Sequence, residues 1–406
     1  MIVDGHLAAA PLTKDLTWPV DEYKREGLYF YLKATAGVSP NGRVEVDDCG
    51  EMIMLGSYSY LGLIGHPAIS TAARTAIDEY GTGTHGVRLL AGSLPLHDEL
   101  EERIARFKQT EAAITFSSGY VANSATIAGL LCKGDTVVSD SLNHASIVDG
   151  CLLARAHHTR FRHGDMGHLE RRLQEARRSR PVSRILVVSD AVFSMDGDIA
   201  NLPEIHGLCR RYGAYLMIDE AHSIGVLGET GHGIEEHFGM PPDTVDVKMG
   251  TLSKAIPSAG GYVAGSHELI TFLKHGARAF IFSAALPPAS VAAARVAFDV
   301  IEEETWRVKR VQENARYFAR RLRGAGFDLL NSETPILPVI CGGVDPAVRL
   351  ASFCQQRGIF VQAVAPPVVP AQLSRLRACV LAVHTREDLD YCAETIIEGG
   401  RALGIV

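Results

Sequence analysis

Lys254 closes the run Gly250-Thr251-Leu252-Ser253-Lys254, which follows a short strand-like segment, 245–249. Upstream, the apolar run Ala214-Tyr215-Leu216-Met217-Ile218 delivers Asp219 at its carboxyl end and His222 three residues later. A lysine forms a Schiff base with a carbonyl compound. A carboxylate beside a pyridine nitrogen keeps that nitrogen protonated, so that the ring withdraws electrons. A Schiff-base lysine and such an acid are the least that a pyridoxal phosphate (PLP) enzyme requires.

Other polar residues fall at comparable places. Phe116-Ser117-Ser118-Gly119-Tyr120 ends one apolar run and opens a helical segment, 121–131. A helix amino terminus offers free N–H groups to a phosphate, although Ser and Gly suit any strand-to-helix turn. Asn143-His144-Ala145-Ser146 follows a run ending at Asp140. His144 can stack on a flat ring or simply cap a helix. Ser194, in Val192-Phe193-Ser194-Met195-Asp196-Gly197, can touch a cofactor or belong to an ordinary turn. His222 is placed to hydrogen-bond a phenolic oxygen, and the Thr251 and Ser253 hydroxyls to bind phosphate. Singly each signal is weak. Their order, Gly119, His144, Ser194, Asp219, His222, Thr251, Lys254, at successive strand ends argues against coincidence.

The elements that must position them alternate. Ala112–Phe116, Thr136–Asp140 and 185–189 read as buried strands, and Leu96, Leu100, Ile104 and Phe107 share one helix face. Short buried strands separated by helices imply an α/β fold, a parallel sheet covered on both faces, with ligands at the strands' carboxyl ends. Residues 1–50, with a Ser39-Pro40-Asn41-Gly42 turn, read as an amino-terminal arm. Residues 51–290 read as the catalytic domain. Pro287-Pro288 marks a boundary, and 291–406 read as a smaller α+β domain.

With 406 residues and a net charge of −7, the chain has ample core and no basic stripe. Nucleic acid and anionic membranes are therefore poor partners. Eight cysteines without a CxxC pair suit a reducing, cytoplasmic setting. The start of the chain lacks a signal pattern, and no apolar stretch approaches the roughly 20 residues that span a bilayer. Gly81-Thr82-Gly83-Thr84-His85-Gly86 matches GxGxxG but follows a helical pattern, 72–80, where a dinucleotide site needs a strand. His222, His232 and His237 lack metal-ligand spacing, so no metal is expected.

Taken together, Ser57-Tyr58-Ser59-Tyr60-Leu61-Gly62, Ser117-Ser118-Gly119-Tyr120-Val121-Ala122-Asn123, Asn143-His144-Ala145-Ser146, the Ser194 block, Asp219-Glu220-Ala221-His222 and Thr251-Leu252-Ser253-Lys254 resemble the α-oxoamine synthase family of fold-type I PLP enzymes. The resemblance runs from about Gly27 to His384. His144-Ala145-Ser146-Ile147-Val148-Asp149-Gly150-Cys151, Arg160-Phe161-Arg162-His163 and the 280–288 segment lean toward its bacterial serine palmitoyltransferase branch. The 8-amino-7-oxononanoate synthases share most of the pattern. It implies that an amino acid condenses with an acyl thioester, carried by coenzyme A or a carrier protein, and loses carbon dioxide to give an α-amino ketone. By the resemblance, Lys254 holds the cofactor and later moves the α-proton, Asp219 pairs with the pyridine nitrogen, His144 stacks on the ring and His222 bonds the phenolic oxygen. Ser118, Gly119, Tyr120, Ser194, Thr251 and Ser253 also lie at the cofactor, with Thr251 on its phosphate. Arg377 grips the substrate carboxylate, a task suited to a guanidinium fork. Ser59 and Tyr60 flank the substrate path, and Ser283 reaches the neighbouring subunit's phosphate, which implies a homodimer with its site at the interface. Ser59, Pro257, Ala365 and Val368 depart from residues common in the family. Two other readings remain at this stage: an aminotransferase or aldolase of the same fold type, and a non-catalytic partner subunit, which would typically lack the lysine.

Overall fold

The computed structural model describes residues 20–37 and 41–406, with backbone pairing at 2–3 and 6–7. Ser39 and Pro40 of the expected turn lie outside the described residues.

A seven-stranded sheet carries the architecture. Across it the strands run Ala112–Phe116, Pro257–Gly265, Val247–Ser253, Tyr215–Asp219, Ile185–Asp190, Thr136–Asp140 and His157–Phe161. Pro257–Gly265 is antiparallel to both its neighbours, while the other pairings are parallel. The sheet is therefore mixed and mostly parallel, as the resemblance to fold-type I PLP enzymes implied, although the sequence did not point to this antiparallel strand. Pro257–Gly265 escapes notice because PSAGGYVAG reads as a loop. Its glycines allow the backbone to pass close to the 118–119 turn: a Cβ on Gly261 would lie 2.6 Å from Gly119 Cα. The strand before Lys254 is also longer than expected. It runs to Ser253, so Lys254 opens the short turn, 254–256, that leads into Pro257–Gly265.

Strand burial explains these segments. Ile185–Asp190 and Thr136–Asp140 are buried at every position, as parallel strands between helix layers must be. Helix Pro95–Lys108 buries Leu96, Leu100, Ile104 and Phe107 as its spacing requires. Each such side chain contributes roughly 1.5–3 kcal/mol. Helix Leu202–Tyr212 stops at Gly213, whose φ of +60° provides the left-handed cap.

Large apolar clusters cover the sheet. One joins a single sheet face to helix Pro288–Glu303, which buries Val291, Ala294, Phe298 and Ile301 there, while Ile114, Val137, Leu186, Val188, Met217 and Val263 pack on the opposite face. A separate cluster gathers Ile53, Leu55, Phe318, Val339, Leu376 and Ile396. Strands Arg43–Val46 and Gly50–Met54 pair with each other, and Gly50–Met54 also pairs with Ile359–Phe360. The strand Arg375–Cys379, between Ile336–Ile340 and Ala363–Val364, brings Arg375 and Arg377 toward the large sheet.

Candidate active site

Strand register sets the floor of the site. Asp219 lies opposite Asp190 on one side and Met249 on the other, so two carboxylates share one level at the strands' carboxyl ends. Above them opens a cavity of about 210 Å³. Ser118, Gly119, Tyr120, His144, Ser194, Asp219, His222, Thr251, Ser253 and Lys254 all line it, ten residues singled out by sequence. Two larger depressions, of about 800 and 780 Å³, lack this convergence of lysine, histidine and carboxylate.

Lys254 Nζ stands 2.8 Å from His222 Nε2, and His222 Nδ1 stands 2.6 Å from the Tyr60 hydroxyl. Burial, with Arg377 and against Asp219 and Asp190, brings the Lys254 amine down to about 8. Burial and then Lys254 hold His222 well below its ordinary value. The imidazole is therefore neutral, with one donor and one acceptor nitrogen for its two neighbours. Burial and the neighbouring Asp219 push Asp190 well above the usual carboxylate range.

Asp219 accepts from the Ala221 N–H at 2.9 Å and from Asn123 Nδ2 at 2.6 Å. His144 caps helix Ala145–Leu153 and also lines the cavity. Its backbone N–H donates to Asp190 at 3.0 Å. Asn143 fixes the same turn, donating to Val188 O and accepting from Asp190 N. Ser118 accepts from Val121 N at 3.1 Å as the cap of helix Gly119–Leu130. The N–H groups of Gly119 and Tyr120 precede the first intrahelical donors of that helix and suit an anion. A Cβ on Gly119 would sit 2.9 Å from Thr251 Oγ1, so only glycine leaves that corner open. Thr251 and Ser253 hold each other at 2.9 Å.

Arg377 lies beside the cavity. Its Nε donates to Ser194 O at 2.6 Å, its Nη1 lies 2.8 Å from Cys379 Sγ, and its guanidinium stacks over Tyr58 at 4.6 Å. Ser59 is buried, with its hydroxyl unpartnered among the described residues. Ser283 is not in this cavity: it lines a small crevice with Ser117, Arg88 and His97. Sequence reasoning overlooked Asp190 and did not single out Asn123, both cavity-lining. Asp190 carried a usable signal, because it ends an apolar strand just as Asp219 does. Asn123 carried a weaker one, as the single amide side chain in a helix of small and apolar residues.

These groups fit PLP. A buried amine lowered to about 8 faces a carboxylate held by two donors, and a glycine-edged corner with two hydroxyls suits a phosphate.

The family model for aminotransferase class I and II matches residues 50–396. The 8-amino-7-oxononanoate synthase of Geobacter sulfurreducens is 46% identical over 397 residues, covering 97% of this chain and 100% of its own length. The protein of that name from Thermoanaerobacter pseudethanolicus is 44% identical over 387 residues, 95% of this chain and 97% of its own. The chain belongs to the aminotransferase class I and II family. A solved serine palmitoyltransferase with PLP superposes with a TM-score of 0.91 at 32% identity, over 95% of this chain and 97% of that one. An 8-amino-7-oxononanoate synthase from Francisella tularensis gives 0.74 at 25%, over 86% and 98%.

Within the family, this protein is a PLP-dependent α-oxoamine synthase. The relatives reverse the expected order of branches. Curated 8-amino-7-oxononanoate synthases reach 46% identity, while the serine palmitoyltransferase structure stands at 32%. Of the segments behind that leaning, 144–151 lines the Lys254 cavity through His144 and Ser146, and the other two serve the scaffold. Phe161 is a buried strand end, His163 bridges Asp140 and Asp198, and Phe280 packs edge-on against Phe116. Side chains with such tasks carry little information about the substrate. Among the described residues, no helix is long and apolar enough to cross a membrane.

Proposed function

We propose that the substrates are a small α-amino acid, alanine foremost, and a long acyl thioester bearing a distal carboxylate. The observation that carries this is the name shared by the most similar curated relatives reported above. The product in that name has its amine and ketone on adjacent carbons, one of them next to a terminal methyl. Cut between those two carbons, it yields the skeleton of alanine and a seven-carbon acyl chain ending in a carboxylate.

PLP bound here supplies an electron sink for the pair of electrons left when the α-proton departs. The chain's own residues do the rest. Lys254, its amine free for a useful fraction of the time near neutral pH, would hold the cofactor and, once released, would take the α-proton from close range. Asp219 holds a proton on the ring nitrogen. His222, held between Tyr60 and Lys254, presents a fixed nitrogen to the phenolic oxygen. Ser118, Gly119, Tyr120, Ser194, Thr251 and Ser253 would complete the cofactor pocket, with His144 as the flat side chain available to its ring. Arg377 retains the substrate carboxylate until the new carbon–carbon bond has formed and carbon dioxide leaves.

A homodimer completes the site in this reading. Ser283 sits outside the Lys254 cavity, as a residue serving a partner's phosphate would. Leu90 and Phe282, 86% and 71% exposed, give that side an apolar surface to bury.

A serine and palmitoyl pair is the second reading, favoured by the closeness of the serine palmitoyltransferase fold. Carbon dioxide release decides between them when alanine and serine are each offered with a seven-carbon ω-carboxyacyl thioester and with palmitoyl thioester, on coenzyme A and on carrier protein. Turnover confined to alanine with the carboxyacyl donor is expected. Serine with palmitoyl-CoA as the best pair would overturn the proposal.

A further inference from the structure

Asn123 lies early in helix Gly119–Leu130, 1% exposed, in a stretch otherwise built from small and apolar residues. Its one amide nitrogen lies 2.6 Å from Asp219 Oδ2 and 2.9 Å from Ser146 Oγ. Its Oδ1 has no hydrogen-bond partner among the described residues. Turned the other way, the amide would set Oδ1 against the Asp219 carboxylate. Both amide hydrogens are therefore donated, one to each neighbour.

That assignment runs forward along the chain of bonds. Ser146 Oγ accepts from Asn123, which leaves its own hydrogen for His144 Nδ1 at 2.7 Å. The Ser146 backbone N–H also reaches His144 Nδ1, at 3.3 Å, and an amide N–H only donates. With two donors converging on it, Nδ1 has no room for a proton. The single imidazole hydrogen then sits on Nε2.

We propose that Asn123 and Ser146 are positioning residues that lock His144 as a neutral Nε2–H donor and couple it to Asp219 through one continuous chain of hydrogen bonds. The carboxylate on the cavity floor and the ring lining its wall are thereby set by one amide. Tyr120, Asp190, Asp219, His222 and Lys254 are the titratable groups around His144. Tyr120 stands edge-on at 6.2 Å with its hydroxyl on Asp149, Asp190 holds the His144 backbone, and all five line the same cavity. Burial, with Lys254 and against Asp219, keeps the imidazole below its ordinary value. The hydrogen-bond chain works in the same direction, because protonating Nδ1 would break both of its bonds.

The test begins on the wild-type holoenzyme labelled with ¹⁵N-histidine, with His144→Gln identifying the His144 signals by difference. A bare Nδ1 and a protonated Nε2 are expected, and a protonated Nδ1 overturns the proposal. Ser146→Ala should admit the second tautomer and raise the His144 midpoint by roughly half to one pH unit, a three- to tenfold change in its protonation equilibrium. Asn123→Ala should do the same and also speed PLP loss on dialysis several-fold. The double variant should be no worse than Asn123→Ala alone, since both act through one chain. An unmoved midpoint, or additive effects, would count against the coupling. If a variant fails to fold, the wild-type tautomer decides alone. None of these readouts uses an amino acid or thioester, so an error in the substrate pair leaves them untouched.

Discussion

The amine of Lys254 should titrate far below an exposed lysine, and the reaction of the apoenzyme with PLP should show it. Burial is the main cause, reinforced by Arg377 and opposed by Asp219 and Asp190, and the result is about 8 against 10.5. At pH 7 about one amine in ten is then free, compared with about one in three thousand for an exposed lysine, a difference of roughly 300-fold. Only the free amine attacks a carbonyl. The assay is the initial rate at which the bound-cofactor absorbance grows when PLP is added to dialysed apoenzyme, between about pH 6 and pH 10. The rate should climb about tenfold per unit below pH 8 and flatten above it. Asp219 favours the ammonium form, so Asp219→Asn should move the bend to lower pH. Because the amine is buried, added salt should move the bend little. A rate still climbing tenfold per unit from pH 8 to pH 10 would refute the reasoning, since Lys254 would then be an ordinary exposed amine.

Two further perturbations follow from the same geometry. Gly119→Ala sets a Cβ 2.9 Å from Thr251 Oγ1 and 3.1 Å from Thr251 Cβ, in the corner assigned to phosphate. Equilibrium titration should show PLP affinity lowered roughly tenfold or more, with the apoenzyme still folded by circular dichroism; undiminished affinity would remove Gly119 from the phosphate corner. Burial disfavours charge on His163, but hydrogen bonds to Asp140 and Asp198 outweigh it and raise this histidine to about 10. Its folded value lies above the unfolded one of about 6.5, so its stabilisation is complete below that pH and fades as pH rises through 10. His163→Gln should therefore lose about 2 kcal/mol at pH 6 and progressively less toward pH 10, read by thermal melts across pH; a loss that does not change with pH would mean that His163 is uncharged.

The residues that line the Lys254 cavity were legible because their chemistry is local: each lies at a strand end or a helix start, and strand ends converge in any open α/β sheet. Lys254, Asp219, His222, His144, Ser194 and Gly119 needed only that rule. What stayed hidden depends on cross-strand partners that a linear reading lacks. Asp190 matters because the register sets it opposite Asp219, and register is a property of two strands. Asn123 matters because it reaches both Asp219 and Ser146, 96 and 23 residues away in sequence. The antiparallel strand was missed for a different reason, since its glycines lower strand propensity while permitting the close approach that the 118–119 turn demands.

Arg375 and Arg377 show how the second core enters the chemistry. Two residues apart on one strand, they project to the same face. Arg375 holds Met195 O at 2.9 Å and Asp196 Oδ1 at 2.5 Å, while Arg377 holds Ser194 O at 2.6 Å. Thr334 adds a bond to Gly197 O at 2.9 Å. The Ser194 loop is thus clamped from the side of the smaller sheet at successive residues. In Arg377, Nε and Nη1 are already engaged, while Nη2 is buried and unpartnered among the described residues. A carboxylate held by Arg377 would find Nη2 without a partner, and a two-pronged grip would require Nη1 to leave Cys379. Binding the amino acid would then loosen a contact inside the Arg375–Cys379 strand while the bond to the Ser194 loop stays in place, so that the substrate docks on the clamp without opening it.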